Sequence, residues 1–131
     1  NGGQSLDKLR MVAEDAVFYS GNDDIVVPMI SCGYKGVISV LSNLLPAETT
    51  RMAHLALEGK NREAAAMQLK YLPLINALFC ETSPIPIKAA MAAVGMCEDE
   101  LRLPLVPMQS ENREKLYGIM QGLGIEMRKI E

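Results

Sequence analysis

Two short apolar runs decide what this chain can fold into. Ala16-Val17-Phe18-Tyr19-Ser20 is closed by Gly21, and Gly36-Val37-Ile38-Ser39-Val40 follows after room for one short helix. The first run does not alternate cleanly, which suits a strand buried on both faces, and the second reads as another buried strand. Between them, Asn22, Asp23 and Asp24 offer helix caps. The stretch from Ile25 to Cys32 reads as a helix with Pro28 in its first turn and Gly33 as its stop. Strand, helix and strand in this spacing predict a βαβ unit with parallel strands and a right-handed crossover. Two strands do not make a stable sheet, and parallel ones leave both edges open. The pattern therefore predicts part of a larger α/β architecture followed by helices.

The remainder reads as helical. Ser5 can cap a first helix with Leu6, Leu9, Val12 and Ala13 on one side and Asp7, Lys8, Arg10 and Glu14 turned to water. Pro46, Glu48 and Gly59 frame a helix by its start, its first turn and its end. Asn61 can cap a longer one whose inner face is Ala65, Leu69, Leu72, Ile75 and Phe79, kinked at Pro73. Ser83-Pro84-Ile85-Pro86-Ile87-Lys88 is expected to start extended, because a residue before proline avoids the α region. Ile87, Ala90, Met91 and Val94 then share a helix face, with Gly95 beyond it. Leu101 to Pro107 is a proline-punctuated connection. Ser110 caps a last helix, with Leu116, Ile119, Met120 and Leu123 inward and Gly124 at its end.

Composition narrows the function classes. The 131 residues are 49% hydrophobic with a net charge of −3, enough for a buried core. Charged residues are 22% and mixed in sign, which disfavours both disorder and a nucleic-acid footprint. With no Trp, two Phe and four Tyr there is little to stack on bases. No apolar stretch approaches the ~20 residues that span a bilayer, and the N-terminus lacks the layout of a signal peptide. Cys32, Cys80 and Cys97 are odd in number and far apart, which argues against a disulfide framework and against zinc. They read as small core residues in a reducing compartment, so a cytoplasmic location is expected.

Chemistry-bearing residues are few. Ser20-Gly21-Asn22-Asp23-Asp24 falls at the carboxyl end of a parallel strand, where α/β proteins hold their ligands. An aspartate pair there suits acid/base work or a metal. The plainer reading is that Asn22 or Asp23 caps the next helix and the other carboxylate meets its dipole. Gly21 is more informative, since it lets a ligand approach the backbone. His54, the single histidine, forms neither a triad nor a metal site alone, and reads as structural or surface. Gly33-Tyr34-Lys35-Gly36 precedes a strand where a phosphate loop would open a helix. Lys35 and Lys88 would serve as amine nucleophiles only if buried, and both read as solvent-facing or structural. No complete catalytic constellation is present.

Four strings in register carry a family resemblance. Tyr19-Ser20-Gly21-Asn22-Asp23, then Gly36-Val37-Ile38-Ser39-Val40 with Ser42-Asn43, then Ser83-Pro84-Ile85-Pro86-Ile87-Lys88, then Leu101-Arg102-Leu103-Pro104-Leu105 resemble the dihydrodipicolinate synthase (4-hydroxy-tetrahydrodipicolinate synthase) family. The match runs from Asn1 to about Gly124. The resemblance implies the C-terminal part of a (β/α)8 TIM barrel. Residues 1–59 would supply barrel helix 6, strand 7, helix 7, strand 8 and helix 8. Residues 60–131 would form a three-helix C-terminal extension.

The family's chemistry is Schiff-base catalysis. A lysine on the sixth strand condenses with pyruvate, and the enamine attacks L-aspartate-semialdehyde on the route to diaminopimelate and lysine. The enzymes are usually homotetramers, and no cofactor, metal, nucleic acid or membrane is implied. The nucleophile belongs to a Lys-Glu-Ala-Ser/Thr-Gly string matching the position just before Asn1, so no catalytic residue is expected in this chain. The isolated chain is expected to be inactive and to self-associate. Three substrate-binding positions carry over. Ile38 matches the eighth-strand residue whose backbone carbonyl faces the imine and pyruvate, and Gly21 the glycine lining the same pocket. Asn22, where family members often carry Asp, shares the rim with Asp23. The alternatives are another pyruvate-dependent aldolase, acting on N-acetylneuraminate or keto-deoxy sugars, or a non-catalytic helical interaction module.

Overall fold

The computed structural model describes the backbone of residues 2–11 and 16–128 and the side chains of residues 7–11 and 16–128. Among these, the helices are α1 (Gly2–Met11), α2 (Val26–Ser31), α3 (Pro46–Leu57), α4 (Asn61–Leu78), α5 (Ile85–Ala93) and α6 (Ser110–Gly122). Short 3-10 turns at Asp23–Ile25 and Leu41–Asn43 precede α2 and α3. In α1, Asp7, Lys8 and Arg10 face water as expected. The expectations placed on Ser5, Leu6, Val12, Ala13 and Glu14 lie outside the described side chains. No helix among the described residues is long and apolar enough to cross a membrane.

The two expected strands need correction. The runs do lie parallel, joined by Lys35 N–H to Phe18 O, Ser20 N–H to Gly36 O and Ile38 N–H to Ser20 O, each 2.8 Å. The pairing yields only an isolated parallel bridge between Ser20 and Val37, and no strand is formed among the described residues. Both runs turn away too soon for a ladder. The first enters the Asp23 turn, and the second becomes helical at Val40, with φ −78° and ψ −42°. Burial on both faces fails as well, since Val17, Tyr19 and Ile38 are exposed.

Helix ends follow the sequence closely. Pro46 opens α3 in its first turn, where its missing N–H costs nothing. Four helices stop at a glycine in one shared arrangement. After α3, Lys60 N–H reaches Leu55 O and Gly59 N–H reaches Ala56 O; equivalent pairs close α2 at Gly33, α5 at Gly95 and α6 at Gly124. These glycines have φ between 75° and 106°, which satisfies the last carbonyls without the clash a Cβ would bring.

The starts depart more. Asn61 and Ser110 are first helical residues, while Lys60 and Gln109 hold the cap positions without side-chain bonds. The start of α6 is instead held by Glu81, whose Oε1 accepts from Gln109 N–H at 3.1 Å and Asn112 Nδ2 at 2.8 Å. The stretch before α5 is a turn and not extended chain. Ile85 N–H donates to Thr82 O at 2.9 Å, the Ser83–Pro84 peptide is cis, and Pro86 already lies within the helix.

The longest helix, α4, organises the packing. Its N-terminal half joins α2 and α3 through Val26, Ile30, Met52, Ala56 and Ala64. Its C-terminal half joins α5 and α6 through Leu74, Ile75, Leu78, Ala89, Leu116 and Met120. Each fully buried Leu, Ile or Met side chain contributes roughly 1.5–3 kcal/mol. The inner face of α4 is Ala64, Gln68, Tyr71, Leu74, Ile75 and Leu78. Of the expected set only Ile75 belongs there, and Leu69 is 67% exposed. Most α4 residues past Ala64 are apolar, so periodicity alone did not distinguish two neighbouring stripes. Pro73 sits on the exposed side within a helix that runs uninterrupted from Asn61 to Leu78. The inner residues of α6, Leu116 and Met120, are buried as expected.

Candidate functional site

Ser20 is the junction of the site. Its carbonyl accepts Ile38 N–H, and its own N–H donates to Gly36 O. Its hydroxyl donates to Asn22 O at 2.9 Å and accepts Asn22 N–H at 3.2 Å. One buried serine thus ties both flanks of Gly21 to the segment carrying Ile38. The three expected binding positions, Gly21, Asn22 and Ile38, are brought together in this way.

These positions present an open surface. A Cβ built on Gly21 meets nothing within 4 Å, and Asn22 is exposed. The Ile38 side chain is 75% exposed, and its carbonyl accepts no hydrogen bond among the described residues. Val37 and Ser39 border a concavity of ≈ 250 Å³ with Thr49, Ala53 and His54 of α3. Side chains alternate along an extended run, so Ile38 points to the opposite face. A smaller concavity of ≈ 170 Å³ beside Asn22, Asp23 and Asp24 is walled by Ile75 and Asn76 of α4 and by Phe79 just past its end.

The segment after Ile38 is fastened at several points. Ser39 Oγ accepts Ser42 N–H at 2.9 Å, and Ser42 Oγ returns a bond of 2.9 Å to Ser39 O. Asn43 Nδ2 donates to Val40 O at 3.0 Å. Gly36 matters for the same reason, because a Cβ there would press the Tyr19 ring at 3.2 Å.

Asp23 departs from its expected role. It does not cap α2. Its carboxylate reaches the next turn, where Oδ2 accepts Val40 N–H at 2.8 Å and Leu41 N–H at 3.0 Å. Neither Asn22 nor Ile25 makes a side-chain cap bond at the helix that follows, and Asp24 is exposed. Sequence reasoning missed Gln68, which is buried on α4 and bonds Asp23 O through Nε2 at 2.8 Å. The available signal was a polar residue lying on the Ala64, Tyr71, Ile75 stripe, since a polar group on a buried face needs a partner.

The other candidates lie elsewhere. A wider concavity, ≈ 580 Å³, runs along the outer side of α3 past Arg51, His54 and Glu58. His54 is exposed there, and Glu58 is already paired with Lys60 at 2.8 Å. That pair lowers the Glu58 pKa and raises that of Lys60, first by the hydrogen bond and then by charge. Lys35 is exposed and Lys88 half-buried. Cys32 and Cys80 are exposed and Cys97 half-buried, so the cysteines are not core residues; Cys32 and Cys80 fall at helix ends, where the chain returns to the surface. Burial, followed by the charge of Glu81, pushes the Cys80 thiol pKa up. Among the described residues no cluster of His, Cys, Asp and Glu is placed to hold a metal ion.

Comparison with known proteins places this arrangement. The model of the Dihydrodipicolinate synthetase family matches residues 3–123. The 4-hydroxy-tetrahydrodipicolinate synthase of Alkaliphilus oremlandii is 49% identical over 121 residues, covering 92% of this chain and 42% of that protein. The crystal structure of dihydrodipicolinate synthase from Aquifex aeolicus superposes with a TM-score of 0.93 at 36% identity, covering 98% of this chain and 44% of its own. That of the chloride-inhibited dihydrodipicolinate synthase from Acinetobacter baumannii, complexed with pyruvate, gives 0.81 at 33% identity, covering 84% and 38%. The chain therefore spans about two fifths of the length of the relatives it matches.

Proposed function

Because this chain belongs to the dihydrodipicolinate synthetase family, we propose that it is the C-terminal portion of a 4-hydroxy-tetrahydrodipicolinate synthase. In this reading residues 1–59 are the end of a TIM barrel, with the two paired runs as its seventh and eighth strands, and residues 60–131 are its helical extension. The observation that carries the reading is the fastening of Gly21 and Ile38 through Ser20, with the Ile38 carbonyl left without a partner among the described residues. Such a carbonyl is a fixed dipole ready for a ligand or for the proton of a nitrogen.

The reaction follows from Schiff-base chemistry. A lysine amine from the missing part of the barrel adds to the pyruvate ketone and expels water, giving an iminium. Loss of a methyl proton yields the enamine, whose carbon attacks the aldehyde of L-aspartate-semialdehyde. In this chain the Ile38 carbonyl faces the imine nitrogen, Gly21 leaves space for pyruvate and Asn22 lines the rim. The enzyme is cytoplasmic, needs no cofactor and assembles as a homo-oligomer, a tetramer by family resemblance.

Borohydride trapping tests this. The full-length protein incubated with pyruvate and borohydride should gain one reduced pyruvyl group by intact mass, and should consume aspartate-semialdehyde in a steady-state assay. The isolated chain should gain none. A stable pyruvyl adduct on this chain, or an active-site lysine absent from the full-length protein, would sink the proposal.

A further inference from the structure

A buried carboxylate and a buried amide join three segments behind the Ile38 carbonyl. Asp23 is 1% exposed. Its Oδ2 accepts both Val40 N–H (2.8 Å) and Leu41 N–H (3.0 Å), while Oδ1 is buried without a partner among the described residues. Its backbone carbonyl is held by Gln68 Nε2 at 2.8 Å, and Gln68 Oε1 accepts Val27 N–H at 3.2 Å. The chain from Gly21 to Val27, the chain from Ile38 to Leu41 and helix α4 therefore meet in one hydrogen-bonded unit.

The placement is specific. Asp23 lies two residues from Gly21, and its carboxylate grips the backbone two residues beyond Ile38. Charge-assisted bonds to backbone N–H groups are shorter and stronger than neutral ones. Burying a carboxylate to make them costs enough that a three-residue turn would be capped more cheaply by Ser or Asn. The Ser20 bonds fix Ile38 from its N-terminal side, and the Asp23 bonds fix it from the other.

We infer that Asp23 is a positioning residue, acting through Val40 and Leu41 to aim the Ile38 carbonyl, with Gln68 holding Asp23 in place. This rests on the proposed synthase reading for what the carbonyl faces. It assigns Asp23 no contact with substrate.

The test uses the full-length protein. Asp23→Ala should lower kcat/KM for pyruvate about 100-fold, the scale on which a displacement of an ångström acts. Asp23→Asn should recover most of that loss, because its amide oxygen can still accept both N–H groups. Leu116→Ala, which empties a buried site on α6 that takes part in none of these hydrogen bonds, should lower thermal stability yet keep kcat/KM within about twofold. Asp23→Ala at wild-type kcat/KM would overturn the inference, as would an equal loss in Leu116→Ala or no recovery in Asp23→Asn. If Asp23→Ala does not fold, amide exchange in Asp23→Ser decides the matter, because the shorter side chain loses its reach to both N–H groups. Val40 and Leu41 should exchange about tenfold faster relative to Thr49, and unchanged protection would overturn the inference. Inactivity of the wild-type protein would instead sink the synthase reading, and the exchange measurement would still judge the Asp23 bonds.

Discussion

Gln68 and Asp23, 45 residues apart, share a buried hydrogen bond of 2.8 Å from the Gln68 amide to the Asp23 carbonyl. The same side chain accepts Val27 N–H at 3.2 Å, so one amide satisfies a donor and an acceptor near the start of α2. Only a group with both a donor and an acceptor can do this. Gln68→Ala leaves two backbone groups unpaired and should cost about 1–3 kcal/mol. Gln68→Glu should cost more at neutral pH, because it loses the donor and buries a charge. Urea unfolding of the full-length protein checks the order, and a Gln68→Glu protein as stable as wild type would refute it.

The two stripes of α4 give opposite expectations. Leu74 is fully buried, and Leu74→Ala should cost about 2–5 kcal/mol through lost burial and a residual cavity. Leu69 lies on the stripe favoured by periodicity but is largely exposed, and Leu69→Ala in the isolated chain should change stability by no more than about 0.5 kcal/mol. Circular-dichroism melts of the two variants separate these outcomes.

What was legible in the sequence was local. Pro46 and the glycines at 33, 59, 95 and 124 announce helix ends, because their constraints act within a turn of the backbone. The parallel approach of the two runs was legible from the room left for a crossover. What failed depended on distant partners. The Asp23 carboxylate looks like a local cap until the chain 17 residues on is placed beside it. Gln68 looks like a surface residue until α4 is rotated onto α2 and α3. Gly21, Asn22 and Ile38 came from family resemblance, since no local rule reveals that a carbonyl lacks a partner.

Exposed apolar side chains predict that the isolated chain associates with itself. Val17, Tyr19 and Ile38 crowd the paired runs, and Leu69 and Phe79 add to the uncovered surface of α4 and its end. Unpaired backbone beside the runs offers a template for a further strand. Sedimentation velocity should show concentration-dependent dimers or larger species. A compact monomer across the accessible concentration range would contradict this.

Tyr117 gives a pH signature on α6. Burial raises its pKa above the ordinary 10.0, opposed by the charge of Arg113 and aided by that of Asp99. The folded state therefore holds the phenol proton at pH values where the unfolded chain has released it. Its contribution is fully present below about pH 10 and is lost as pH rises through the higher folded value. Comparing wild type with Tyr117→Phe isolates the effect. The two stability curves should run parallel up to about pH 10, and the wild type should fall more steeply above it.

Gly95 couples the end of α5 to the C-terminal segment. Its φ is 80°, and the Arg128 side chain crosses the space that a Cβ would occupy. Arg128 also donates from its N–H to Ala93 O at 2.8 Å and from Nη2 to Gly95 O at 3.0 Å. Gly95→Ala should therefore lose stability twice, about 1–2 kcal/mol for the left-handed backbone and a further amount for displacing the guanidinium. Arg128→Ala removes the second loss and leaves the first. A double-mutant cycle on the full-length protein should thus show Gly95→Ala costing less when residue 128 is alanine. Equal cost in both backgrounds would mean that Arg128 moves aside freely, and that glycine is required at this position for its backbone alone.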